Sequence, residues 1–186
     1  MTPLRKPSKA EIQAAYGSTM PDIIGPDLKI LFCGINPSLY SIAVGHHFAR
    51  PGNRFWKALH GAGFTPHVYS PTEDKSLLEL GYGVTNVAWR ATARADELSK
   101  TELLKGYELL IDKVTTYKPV CLAVLGISAY RIAFEHPKAK IGEQHPNWHG
   151  TRVWALPNPS GLNAHYQVDD LAKVYQELRL AVEDHP

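Results

Sequence analysis

A chain of 186 residues, 44% hydrophobic and 20% charged, has the length for one domain with a full core and the composition of a folded globular protein, which excludes a disordered or fibrous chain. Lys and Arg outnumber Asp and Glu by 20 to 18, and a net charge of +2 permits a polyanionic partner without demanding one. Only two cysteines occur, too few for a disulfide framework or a four-cysteine zinc or iron–sulfur site.

In chain order, residues 1–27 read as an N-terminal arm with a short helix, and residues 28–186 as one α/β domain. The opening MTPLRKPSKAE has basic residues with no apolar stretch behind them, so neither a signal peptide nor a membrane span is expected and the chain reads as cytoplasmic. Ser8 and Glu11 have capping-box spacing and open a helix that ends near Gly17. LKILFCG (28–34) is a buried strand, because a short apolar run closed by Gly suits a strand better than a helix. Further strands are expected over 82–89, 119–126 and 151–157. Between them, Asn53 caps a helix through RFWKALHGAG, Ser99 and Glu102 form a second capping box ahead of a long helix, and VDDLAKVYQELRLAVE is the last helix. The alternation predicts a single α/β/α domain with a central, mostly parallel sheet flanked by helices. Cys33 and Cys121 fall inside two strands and read as small buried hydrophobes.

In such a sheet, ligands bind outside the carboxyl ends of the strands. Three strands run there into the loops GINPSLYS, TNVAWRATARAD and PNPSGLNAH. Gly34 permits an unusual backbone angle and Pro37 stops the strand, which together hold the Asn36 amide at the strand tip instead of in the sheet; Asn-Pro is equally an ordinary turn signal. No phosphate-binding loop, GxGxxG or GxSxG is present, which removes support for nucleotide cofactors and serine hydrolases. His145 and His149 are four apart, but Pro146 and the surrounding turn formers make a poor helix for a metal-binding face, so no metal is expected. What remains at the mouth of the sheet is Asn36, Phe48, Asn53, Asn86 and Asn158. Each amide offers a donor and an acceptor and Phe offers a face to stack on, a set suited to a planar heterocycle; taken singly, the aromatic residues also suit the core.

FCGINP, GHHFARPGNRFWKALHGAGFTP, GVTNVAWR, AVLG and LPNPSGLN, in that order from about Leu28 to the last helix, resemble the mismatch-specific uracil and thymine DNA glycosylase family of the uracil-DNA glycosylase superfamily. The resemblance implies a monomeric enzyme that needs no cofactor, flips a uracil-like base out of double-stranded DNA and hydrolyses its N-glycosidic bond. On the matching positions it implies that Asn36 holds the attacking water, that backbone around Ile35 reaches the base, and that Phe48 stacks on it. Ser41 and His47 bound the pocket near C5 of the base, and Asn53 and Asn86 contribute to substrate binding. Gly161, Leu162 and Asn163 enter the duplex, with Leu162 as a wedge; by sequence alone Leu162 is equally a small core plug.

Two departures matter. Ser38 stands where the family's first motif usually ends in Gly. Asp96 stands where other members often carry a neutral or basic residue, and a carboxylate there would activate water or stabilise a sugar cation; the alternative is an ordinary solvated loop aspartate. Asn86 in GVTN and the pair His46-His47 match the thymine-processing branch. The rival from another class is a non-catalytic nucleic-acid-binding module that retains the base pocket.

Overall fold

The computed structural model describes residues 4–183, so the first three residues of the expected arm and the last three of the expected domain lie outside the described residues. In chain order the elements are α1 (Lys9–Ala14), β1 (Ile30–Gly34), α2 (Leu39–Val44), α3 (Phe55–Gly61), a 3-10 helix over Pro71–Leu80, β2 (Tyr82–Asn86), a 3-10 turn over Ala95–Glu97, α4 (Lys100–Tyr117), β3 (Cys121–Leu125), α5 (Ile127–Ala133), β4 (Gly142–Trp148), β5 (Thr151–Leu156) and α6 (Val168–Glu183). The five strands form one sheet in the order β2-β1-β3-β5-β4, parallel throughout except for β4, which pairs antiparallel with β5.

Side chains alternate across the sheet, so every strand of its centre is apolar on both faces. Ile30, Phe32, Ala123 and Leu156 pack against α3 and α6, while Leu31, Cys33, Val124 and Ala155 pack against α4 and α5. Residues Leu171, Tyr175, Leu178 and Val182 place one stripe of α6 in the core at helical spacing. Each large apolar side chain withdrawn from water in this way contributes roughly 1.5–3 kcal/mol. Both cysteines are buried and unpaired, and burial pushes both thiols up.

The α/β/α architecture agrees with the sequence reading, which does not place α2, the 3-10 helix Pro71–Leu80, α5 or β4 and runs the second strand on to 89 where β2 ends at Asn86. α2 and α5 have six and seven residues and begin beside Pro37 and Gly126, residues that read as breakers in sequence. β4 contains the HPNW run with its Pro146; an edge strand tolerates proline, and the pairing with β5 shifts register between Gln144 and Trp148. The opposite edge, β2, is met by Ile23, whose N–H and C=O both bond to Val84, at 2.9 and 2.7 Å. No helix among the described residues is long and apolar enough to cross a membrane.

Two contacts fix the loops at the carboxyl end of the sheet. A Cβ on Gly106 would lie 2.0 Å from the Val87 carbonyl oxygen, so α4 sits directly on the chain leaving β2. After β5, the Tyr175 hydroxyl donates to the Pro157 carbonyl at 3.1 Å. Arg54 then latches the next stretch: its N–H donates to Pro159, and Nη1 donates to the carbonyls of Ser160, Asn163 and Tyr166 at 3.3, 2.8 and 3.0 Å.

The Gly106→Ala variant is expected to lose about 2–3 kcal/mol through overpacking, a melting-temperature drop of roughly 5–10 °C; an unchanged melting temperature would show that α4 can move away from Val87 at no cost. Arg54→Ala is expected to raise hydrogen exchange of the amides in 159–166 by roughly tenfold or more, with α3 and α6 still protected. Unaltered exchange in that loop would mean that Arg54 does not hold it.

Candidate active site

The strand order reverses direction between β1 and β3, because the chain passes from β1 to β2 on one side and returns to β3 on the other. Such a switch point opens a crevice at the carboxyl ends of the two strands. Here a cleft of about 520 Å³ lies there, between the ends of β1 and β3, the loops after β2 and β5, and the segment 47–53. All of the site residues expected from sequence except Gly161 line it, as does Asn158.

Asn36 is the second residue beyond β1. Its Nδ2 donates to the Arg90 carbonyl at 2.8 Å and to the Thr92 hydroxyl at 2.7 Å, and that hydroxyl in turn donates to the Arg94 carbonyl at 2.7 Å. A carbonyl can only accept, so the nitrogen end of the amide is fixed toward the β2 loop and both of its protons are used. The acceptor Oδ1 is the end left for a ligand in the cleft. Ser38, the departure from the family pattern, caps α2 by accepting from the Ser41 N–H at 3.1 Å with φ of −76°, a backbone angle that does not call for glycine.

The aromatic wall is built from the segment after α2. Phe48 takes φ of 52° and stacks on Phe55 with ring centroids 3.9 Å apart and planes 26° apart. The Ser41 hydroxyl accepts from Ala49 N–H at 3.1 Å, which folds this segment back on α2. His47 is buried, its Nε2 lies 3.0 Å from the Pro21 carbonyl, and burial lowers its pKa. The ring is therefore held neutral with Nε2 as the donor. Asn53 accepts from the Phe55 N–H at 2.9 Å and so fixes the entry to α3 through its side chain, although Arg54 occupies the cap position itself. Across the cleft, a Cβ on Gly34 would lie 2.5 Å from Asn86 Oδ1 and 3.6 Å from the Phe48 ring, so a side chain there would push the Asn86 amide from its place over the strand tip. The Ile35 carbonyl accepts from Ala88, and its side chain packs against Gly126.

At the rim, Leu162 is 66% exposed, the most exposed large hydrophobic residue among those described. Its neighbour Gly161 passes so close to Gly52 that a Cβ would meet the Gly52 carbonyl oxygen at 2.7 Å. Asn163 is turned inward: Nδ2 donates to the Asn158 carbonyl and Oδ1 accepts from His165 N–H, at 2.9 and 3.1 Å, so the side chain braces the loop. Asp96 lies in the turn Ala95–Glu97 with both oxygens on Arg94, at 3.1 and 2.5 Å from its guanidinium nitrogens, and is the only Asp or Glu lining the cleft among the described residues.

Sequence reasoning overlooked Thr92, Arg54, Arg94 and Met20. Thr92 and Arg94 lie in a loop singled out as facing the crevice, and their hydrogen-bonding side chains were the available signal. Arg54 follows Asn53 directly, but nothing in sequence links it to a loop more than a hundred residues on. Met20 reaches the cleft from ahead of Leu28. No group of three or more His, Cys, Asp or Glu suited to a metal occurs among the described residues.

A family model described as the uracil DNA glycosylase superfamily matches residues 21–179. Among solved structures, a solution NMR structure of a protein from Methanosarcina acetivorans, provisionally assigned as a uracil DNA glycosylase, superposes with a TM-score of 0.57 at 19% identity, over 87% of this chain and 97% of that one. At that identity the likeness is one of fold. The family match spans the strand tips, the Asn36 loop and the Leu162 loop together, and the chain belongs to the uracil DNA glycosylase superfamily.

Proposed function

We propose that the protein is a monofunctional DNA glycosylase that acts as a monomer on double-stranded DNA, flipping out uracil, above all uracil opposite guanine, and hydrolysing its N-glycosidic bond, with thymine and other modified bases as further substrates. The observation that carries the reading is the one-way fixing of Asn36: with both Nδ2 protons committed to Arg90 and Thr92, Oδ1 is oriented to accept a proton of a water in the cleft.

In this reading the base enters between Phe48 and the strand tip, where Asn86 offers a donor and an acceptor to its edge and backbone near Ile35 closes the other side. His47 and Ser41 bound the pocket, and Asn53 keeps the aromatic wall in place. The C1′–N1 bond breaks with its electron pair leaving on the base, the sugar becomes cationic, and the oxygen of the held water bonds to C1′. An amide orients water but is a poor base. The Asp96 carboxylate stabilises the sugar cation and takes the proton that the water loses as its oxygen bonds to C1′, while the base keeps the electron pair of the broken bond. An exposed ion pair like Arg94–Asp96 is worth less than about 1 kcal/mol, so a DNA phosphate can take the guanidinium and release the carboxylate. No lysine lines the cleft among the described residues, which favours hydrolysis over a Schiff-base step. Leu162, fixed on the loop that Arg54 latches, fills the space of the extruded base, with Gly161 and Asn163 shaping the loop that meets the duplex.

Single-turnover excision from a duplex with deoxyuridine opposite guanine tests this. Asn36→Ala is expected to bind the duplex nearly as the parent does and to excise roughly 10²–10³-fold more slowly. Asp96→Ala should retain partial activity, with the double variant well below either. Full turnover by Asn36→Ala would sink the assignment, full turnover by Asp96→Ala would return that residue to an ordinary loop aspartate, and duplex binding without product by the parent would favour a non-catalytic module.

The wedge is tested by the partner base. Leu162→Ala should lose more activity on uracil paired with adenine than on uracil opposite guanine, since the mismatch already lowers the cost of unstacking. Equal losses would count against intercalation.

A further inference from the structure

Asp74 is a carboxylate at 2% exposure for which the proposed chemistry has no use. It lies in the 3-10 helix Pro71–Leu80, whose first turn is fixed by a capping box between Ser70 and Glu73. Its Oδ2 accepts from the backbone N–H of His47 at 3.0 Å and lies 3.3 Å from His46 Nδ1, while Oδ1 is buried with no hydrogen-bond partner. Burying a carboxylate with one oxygen unsatisfied is costly, and a methionine or leucine would fill the same space without that cost. The compensation lies with the other oxygen, which meets both His46 Nδ1 and the His47 amide and makes its hydrogen bond to the amide.

What it holds is the backbone immediately before Phe48. A phenylalanine at φ of 52° is in a region that bulky side chains rarely adopt, and it persists only where its surroundings over-determine it. Two side chains from different elements do so here. Asp74 takes the amide before Phe48, and Ser41 takes the amide after it, at 3.1 Å. The ring is thereby laid on Phe55, leaving its other face to the cleft. What the task requires is a side-chain oxygen that reaches the amide and accepts from it.

We propose that Asp74 is a positioning residue for base capture: its buried carboxylate clamps the His47 amide and so holds Phe48 in the strained conformation that makes its ring a platform. This rests on the reading of Phe48 as the surface on which the base stacks.

The test is single-turnover excision of uracil opposite guanine by the parent, Asp74→Asn, Asp74→Ala, Phe48→Ala and the double variant Asp74→Ala/Phe48→Ala. Asp74→Ala should slow excision roughly ten- to hundredfold through loss of that hydrogen bond, and Asp74→Asn, which keeps an acceptor, should restore the rate to within about threefold of the parent. Because Asp74 acts through Phe48, the double variant should be no slower than Phe48→Ala alone. Losses that multiply in the double variant, or an Asp74→Ala enzyme as fast as the parent beside an impaired Phe48→Ala, overturn the role of Asp74 and leave the platform standing. Parent-like excision by Phe48→Ala removes the platform, and the proposal falls with it. Asp74→Ser, too short to reach the amide, replaces the alanine variant in the same comparison if that variant does not fold.

Discussion

Everything at the cleft hangs from the carboxyl end of β1. That strand is hydrogen-bonded on both sides, to β2 through Gly34↔Asn86 and to β3 through Cys33↔Val124, and it is buried on both faces. The residues that follow it therefore leave from a point held by ladders on either side. A one-residue slip would turn Phe32 and Cys33 to opposite layers of the core and carry Asn36 out of reach of Thr92.

From that fixed point the site is assembled by a repeated device: a polar side chain is spent on a backbone group, and a neighbouring side chain is thereby aimed. Thr92 and the Arg90 carbonyl orient the Asn36 amide, Ser41 and Asp74 hold the amides around Phe48, and Arg54 gathers three carbonyls of the Leu162 loop. Each of these contacts is made within the chain itself, so the loops that line the cleft are braced by the protein's own hydrogen bonds.

The architecture was legible because the apolar runs 28–34 and 119–126 have the length and punctuation of buried strands, and the capping boxes at Ser8 and Ser99 mark helix starts by local chemistry alone. Asn36 was legible for a similar reason, since Gly-Ile-Asn-Pro interrupts a strand at its tip. Asp74 and Arg54 were not. Asp74 sits three residues beyond Pro71, in a segment whose Ser70–Glu73 capping box was passed over, and its partner lies twenty-seven residues earlier. Arg54 looks like any surface cation until α3 and the chain after β5 are brought together by the core. Asp96 stands out in sequence by its charge, but its pairing with Arg94 depends on the geometry of the Ala95–Glu97 turn, which composition does not encode.

The two borders of the sheet bear on how the molecule behaves among its own copies. An open strand invites a strand of another chain to pair with it. Here the β2 border is already met by the Ile23 backbone, and the β4 border is interrupted by Pro146, which has no amide proton, and by the register shift beside it. A second molecule finds no long, regular row of donors and acceptors to extend. The residues ahead of Leu28 thus shield the sheet as well as reach the cleft: at the middle of the β2 border, the Ile23 backbone already occupies the donor and acceptor of Val84 that an incoming strand would use.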